Sequence, residues 1–157
     1  MSWQLGTLAA GLWLLLAAGP PARADEAAVA ELLRRSTPPA GVVFEIVDDD
    51  EAALEQALPR VRAWVARLRA RFPALPVAVV SHGDELLALA APRLYPEVHR
   101  QVEDLVSEGV SLHVCGTYAG WQGVAAEAFP DYVDVVPQGP AQIDEYEALG
   151  YLRIGVD

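Results

Sequence analysis

Three short segments carry residues able to do chemistry. Cys115 is the only cysteine in the 157 residues; it follows the strand-like segment Val110–Val114 and precedes Gly116. At the junction of a strand with a helix, backbone N–H groups and the positive helix end favour a thiolate, the nucleophilic form. Gly116 leaves room for a substrate, and Gly83, Thr117, Tyr118 and Trp121 are candidates to line its site. The other reading of Cys115 is a small apolar core residue. His82, between PVAVVS and Gly83, is placed to accept the thiol proton or to hold a persulfide; alternatively it satisfies loop backbone groups. Asp48-Asp49-Asp50 form the third segment. Asp48, Asp50 and His82 together suit a hard cation, but capping of the following helix is the favoured reading, so no metal or other cofactor is expected.

Of the other histidines, His113 stands two residues before Cys115, on the same strand face, and reads as a hydrogen-bonded core residue. His99 falls on a polar helix face and is expected to be solvated. The eleven basic side chains are all arginine, so lysine nucleophiles and Schiff bases are excluded. No C-x-x-C, P-loop, H-E-x-x-H or G-x-S-x-G occurs, which removes the signatures of dithiol redox, nucleotide-phosphate, zincin and serine hydrolase chemistry.

The elements that must position these groups follow from periodicity. Short β-branched runs alternate with helical patterns, the mark of an α/β domain: a three-layer α/β/α arrangement around a mostly parallel five-stranded sheet. Strands are expected at Gly41–Val47, Pro76–Ser81, Val110–Val114, Val133–Val136 and Tyr151–Val156. Leu58, Val61, Val65, Leu68 and Phe72 make an amphipathic helix from Leu54, starting or kinking at Pro59. Further helices are expected at Asp84–Ala91, from Pro96 to the stop at Gly109, at Ala119–Phe129 and at Ala141–Leu149. In an open parallel sheet, ligands bind beyond the carboxyl ends of strands, where the three reactive segments fall. Tyr118, Trp121, Phe129, Tyr132, Tyr146 and Tyr151 crowd the last third, as pocket lining, a subunit interface or ordinary core.

The first 24 residues read as a secretory signal: an apolar stretch Leu5–Ala18, a Gly-Pro-Pro breaker, then Ala22-Arg23-Ala24 as the cleavage pattern. The stretch is shorter than the roughly 20 apolar residues of a membrane span. Cleavage after Ala24 leaves one domain, 25–157, in an oxidising compartment where a lone thiol is either buried or deliberately free. The formal charge of −11 becomes one unit more negative once Arg23 is lost. Repulsion from phosphates excludes nucleic acid as the main partner, and a basic partner or a small molecule fits better.

Taken in order, the acidic turn after the first strand, VVSHG, Tyr95, Glu108-Gly109-Val110, HVCG, VPQGPAQI and Gly150-Tyr151 resemble the DsrE/DsrF-like family over about Val42–Ile154. The resemblance implies a three-layer α/β domain assembled as a homo-oligomer, a trimer or hexamer, in a family linked to sulfur relay. It places the persulfide-bearing cysteine at Cys115, with His82 in a corresponding position, and implies a sulfur donor or acceptor protein, or a small sulfur compound, as partner. Such relays work in the cytoplasm, whereas the leader marks this chain as a periplasmic member. The leading expectation is a periplasmic sulfur carrier or sulfurtransferase-like protein. The alternative is a non-catalytic binding or assembly module with a structural cysteine.

Overall fold

A computed structural model describes residues 23–157; the expected leader lies outside the described residues apart from Arg23 and Ala24. Five strands, β1 (Gly41–Ile46), β2 (Val77–Ser81), β3 (Val110–Cys115), β4 (Asp134–Val136) and β5 (Tyr151–Val156), form one sheet in the order β4-β3-β2-β1-β5. Every pairing is parallel, so the sheet is more regular than the mostly parallel one expected. Helices α1 (Ala24–Arg34), α2 (Leu54–Arg71), α3 (Pro96–Ser107), α4 (Gly116–Trp121) and α5 (Gly139–Ala148) complete the three layers, with short 3-10 helices at Asp84–Ala90 and Ala126–Ala128.

The two faces of the sheet are covered unequally. Val42, Phe44 and Ile46 of β1, Val77 and Val79 of β2 and Leu112 and Val114 of β3 join the buried faces of α1, α2 and α3 in the main core, where Phe44 stacks on Trp64 with ring centroids 5.6 Å apart. The alternate residues Val43, Ala78 and Val80 point the other way and meet Ile143 of α5, with Tyr146 and Tyr151 packed against them. With one helix over much of that second face, polar side chains find room beside it.

Helix α1 has no counterpart among the elements expected from periodicity. It buries Val29 and Leu32 and also Asp25, whose carboxylate takes Arg60 Nη1 at 2.8 Å and the backbone N–H of Asp157 at 3.2 Å. Of its apolar residues only Val29 and Leu32 are fully buried, with Ala28 and Leu33 partly buried against the core, and the fully buried position Asp25 looks polar until its partners are known. Pro59 lies inside α2, whose apolar face is the one read from spacing. Asp48 and Asp50 accept from the backbone N–H groups of Asp50 and Ala52, each at 2.9 Å. They brace the turn before α2 rather than cap it, since the N-cap position, Ala53, has no side-chain acceptor.

Two further expectations are corrected. The helix expected over Ala119–Phe129 begins earlier and stops at Trp121, because Gly123 takes φ +75° and the chain turns away before the 3-10 turn. His99 is not solvated: it is 6% exposed, with Nε2 on the Ala88 carbonyl at 3.0 Å and Nδ1 on the Tyr132 hydroxyl at 2.5 Å.

His113 is the core histidine expected, with Nε2 at 2.8 Å from the Tyr146 hydroxyl. Burial holds its pKa below the ordinary 6.5, only partly opposed by Asp134. The unfolded chain therefore takes up this proton first as pH falls. His113 contributes stability that is complete above pH ~6.5 and is lost as pH drops from there through the lower folded value. In denaturant titrations across this range, His113→Gln should remove an acid-side slope of at most ~1.4 kcal/mol per pH unit.

Candidate functional site

The site stands at the carboxyl ends of β2 and β3. Ser81 pairs with Val114 in the parallel register, so the next rung sets His82 beside Cys115 on the α5 side of the sheet. The first residue of α5 closes over both: a Cβ built on Gly139 would lie 2.7 Å from His82 Cβ and 3.2 Å from Cys115 Cβ. Only a glycine allows the helix to start this close. Gly139→Ala should force His82 from Cys115, costing ~1–3 kcal/mol in urea unfolding and lowering the native alkylation rate of Cys115.

Cys115 is 5% exposed. It lines a cavity of about 290 Å³ together with His82, Thr117, Tyr118, Trp121, Gln138 and Pro140. Sγ accepts from the backbone N–H of Tyr118 at 3.4 Å, a contact that strengthens as negative charge grows on sulfur.

His82 is held from behind. Its Nε2 lies 2.8 Å from Glu45 Oε1, and the other oxygen of Glu45 takes Arg153 Nε at 2.7 Å and Arg153 Nη2. The side chains of His82 and Glu45 are 15% and 13% exposed. A carboxylate only accepts, so neutral His82 carries its proton on Nε2 and presents the lone pair of Nδ1. Nδ1 has no hydrogen-bond partner among the described residues. A thiol, an imidazole lining the same cavity and a carboxylate that fixes the tautomer of the imidazole are the parts of an activated nucleophile, although no hydrogen bond joins His82 to Cys115 Sγ.

The loop after β2 is stiffened by Glu85, which is fully buried. Oε1 takes the Ser81 hydroxyl at 2.7 Å and the Gly83 N–H at 3.0 Å, while Oε2 takes the Asp48 N–H at 2.7 Å. One carboxylate thereby ties the ends of β1 and β2 together behind His82. Gly83 is required by the same closeness, since a Cβ there would meet Glu85 Oε2 at 2.4 Å and Asp48 O at 2.5 Å. Asp84 accepts from the Tyr118 hydroxyl at 2.7 Å and from Gln122 Nε2 at 3.1 Å, joining this loop to α4. The bond to Asp84 is the main cause that pushes the Tyr118 phenol up from its ordinary value, so it acts as a donor at neutral pH.

Of the residues singled out in the sequence, His82, Cys115, Thr117, Tyr118 and Trp121 meet around the one cavity. The Thr117 hydroxyl is engaged with Pro137 O at 2.7 Å, and Trp121 stands 78% exposed against Tyr118, centroids 6.2 Å apart. Gly83 lines the adjoining depression with Val47, Asp48, Asp49, His82 and Tyr118. Gly116 packs sideways, where a Cβ would stand 3.0 Å from Val136 O; its bare Cα serves the approach of β4. Asp48, Asp50 and His82 do not converge, and no group of three metal-ligating side chains occurs among the described residues. Glu45, Arg153, Gln138, Gly139 and Pro140 were not foreseen. Two signals were present: Glu45 itself, a carboxylate inside the otherwise apolar strand GVVFEIV, and the segment VPQGPAQI, which contains Gln138, Gly139 and Pro140.

No protein-family model and no curated protein matches the chain. Solved structures do. A protein of unknown function, MTH1491 from Methanobacterium thermoautotrophicum, is 25% identical, with a TM-score of 0.60 over 73% of this chain and 96% of that one. The ychN protein from E. coli is 15% identical, with a TM-score of 0.55 over 73% of this chain and 99% of its own. By fold, the chain is an α/β protein of the kind that MTH1491 and ychN represent, spanning nearly the whole of each.

Proposed function

We propose that this chain is a periplasmic sulfane-sulfur carrier in which the Cys115 thiolate takes up sulfur as a persulfide and passes it to an acceptor. The observation that carries the reading is that His82 and Cys115 face one cavity while Glu45 holds His82 from behind. His82 Nδ1 removes the thiol proton, Glu45 keeps that nitrogen free, and the Tyr118 N–H meets the charge on Sγ. The resemblance to the DsrE/DsrF-like family, in which such a cysteine carries sulfur, supports the same role. The partners are a sulfur donor or acceptor protein or a small sulfur compound, and the family resemblance makes the working unit a trimer or hexamer.

The functional unit is the single domain 25–157, exported by a leader cleaved after Ala24. A chain starting at Asp25 retains the Asp25–Arg60 pair and the buried Val29 and Leu32. No helix among the described residues is long and apolar enough to cross a membrane. The test is intact mass after exposure of the leaderless protein to excess inorganic polysulfide at ~0.5 M salt, where surface charge is screened. The wild type should gain one reducible sulfur atom and Cys115→Ser none; equal sulfur loads on the two proteins would refute the carrier role.

A second reading rests on the low exposure of Cys115 and its place in the apolar core: a binding or assembly module in which the thiol only packs. In that case thiol labelling is slow in the native protein and rapid after unfolding.

A further inference from the structure

The surroundings of the thiol carry one charge sign. Neither the cavity over Cys115 nor the depression beside it, which shares His82 and Tyr118, has an arginine in its lining. The one basic group there, His82, is answered by Glu45, which also holds Arg153. Asp48 and Asp49 line the depression, and Asp84 sits at the Tyr118 hydroxyl that borders both hollows. The chain as a whole carries −11. An anion approaching Sγ meets repulsion along its path, then gives up hydration without a cationic partner in the lining. A cation meets attraction, and then the exposed face of Trp121 beside Tyr118, a pair of rings suited to an ammonium group.

On the reading that Cys115 takes up sulfane sulfur, we infer that the site selects its donor by charge. It takes a cationic, amine-bearing low-molecular-weight persulfide, RS–SH, in preference to anionic donors such as thiosulfate. In the transfer, Cys115 Sγ attacks the terminal sulfur of the donor. A new Sγ–S bond forms as the donor S–S bond breaks, the thiol proton moves to His82 Nδ1, and the leaving RS⁻ takes it back as RSH. The donor is released as a thiol and the protein keeps one sulfur, with no external oxidant or reductant.

Two methanethiosulfonate reagents of similar size and opposite charge test this on the folded protein, one bearing trimethylammonium and the other sulfonate. Their rate ratio at Cys115 is divided by the ratio for N-acetylcysteine amide, which removes intrinsic reactivity. At low salt the cationic reagent should be favoured about tenfold or more, the preference should shrink toward unity near ~0.5 M salt, and Asp49→Asn with Asp84→Asn should lower it. A normalised ratio at or below one, with both reagents reacting, overturns charge selection while leaving the carrier role standing. A thiol inert to both in the native state overturns the carrier role and the donor class with it.

Discussion

Glu45→Gln should slow sulfur uptake at Cys115 about a hundredfold, nearly as much as His82→Ala, although Glu45 does not reach the cavity. General-base assistance contributes ~10²–10⁴-fold, and a cysteine, already a good nucleophile, belongs at the low end. The glutamine effect follows from geometry. Arg153 donates to the outer oxygen of Glu45, so an amide in that place turns its oxygen toward Arg153 and its NH2 toward His82 Nε2. The imidazole must then accept at Nε2 and carry its proton on Nδ1, which leaves no base facing the thiol. The carboxylate is thus a positioning residue that sets the tautomer. Nitrogen-15 shifts of His82 should report the exchange of protonated nitrogens, which a loss of packing would not produce. Adding Arg153→Met to Glu45→Gln frees the amide to rotate and should recover part of the rate. Full activity in Glu45→Gln with the wild-type tautomer would remove Glu45 from the mechanism.

The largest expected effect on stability comes from Glu85→Ala. Three donors lose their acceptor at once: the N–H groups of Asp48 and Gly83 and the hydroxyl of Ser81. Each buried orphan costs ~1–3 kcal/mol, against a total of ~5–15 kcal/mol for a domain of this kind. A loss of ~3–6 kcal/mol in urea or thermal unfolding is expected, with opening of the β1 and β2 loop ends and of the His82 position they support. Glu85→Gln retains one acceptor oxygen and should lose less. A Glu85→Ala protein within ~1 kcal/mol of wild type would mean that water replaces the carboxylate.

The sheet was legible because its strands are buried on both faces and read as β-branched runs between helical stretches, from GVVFEIV to the last strand. Cys115 and His82 were legible because each follows such a run directly. Contacts between segments far apart in the chain left little local trace. Arg153 stands 108 residues from Glu45 and Asp157 stands 132 from Asp25, so no periodicity links them. Helix α1 was missed because its inward face includes a charged residue neutralised from α2. His99 was misread for a similar reason, its partners Ala88 and Tyr132 being brought to it only by the packed fold. The glycines divided by what surrounds them. Gly116 suggested open space but is packed against β4, whereas Gly139, quoted only within VPQGPAQI and given no role there, is the point where α5 meets both His82 and Cys115.

Whether Cys115 is an activated thiol is read from its alkylation rate with a small uncharged reagent at neutral pH, compared in the native leaderless protein, in its His82→Ala variant and in urea-unfolded wild type. With a single thiol in the chain, the rate is unambiguous. An activated thiol at the base of a cavity is expected to react in the native wild type at least as fast as in the unfolded chain, and much more slowly in native His82→Ala. A native thiol that stays unmodified until the protein unfolds, with or without His82, would contradict the account and make Cys115 a packing residue.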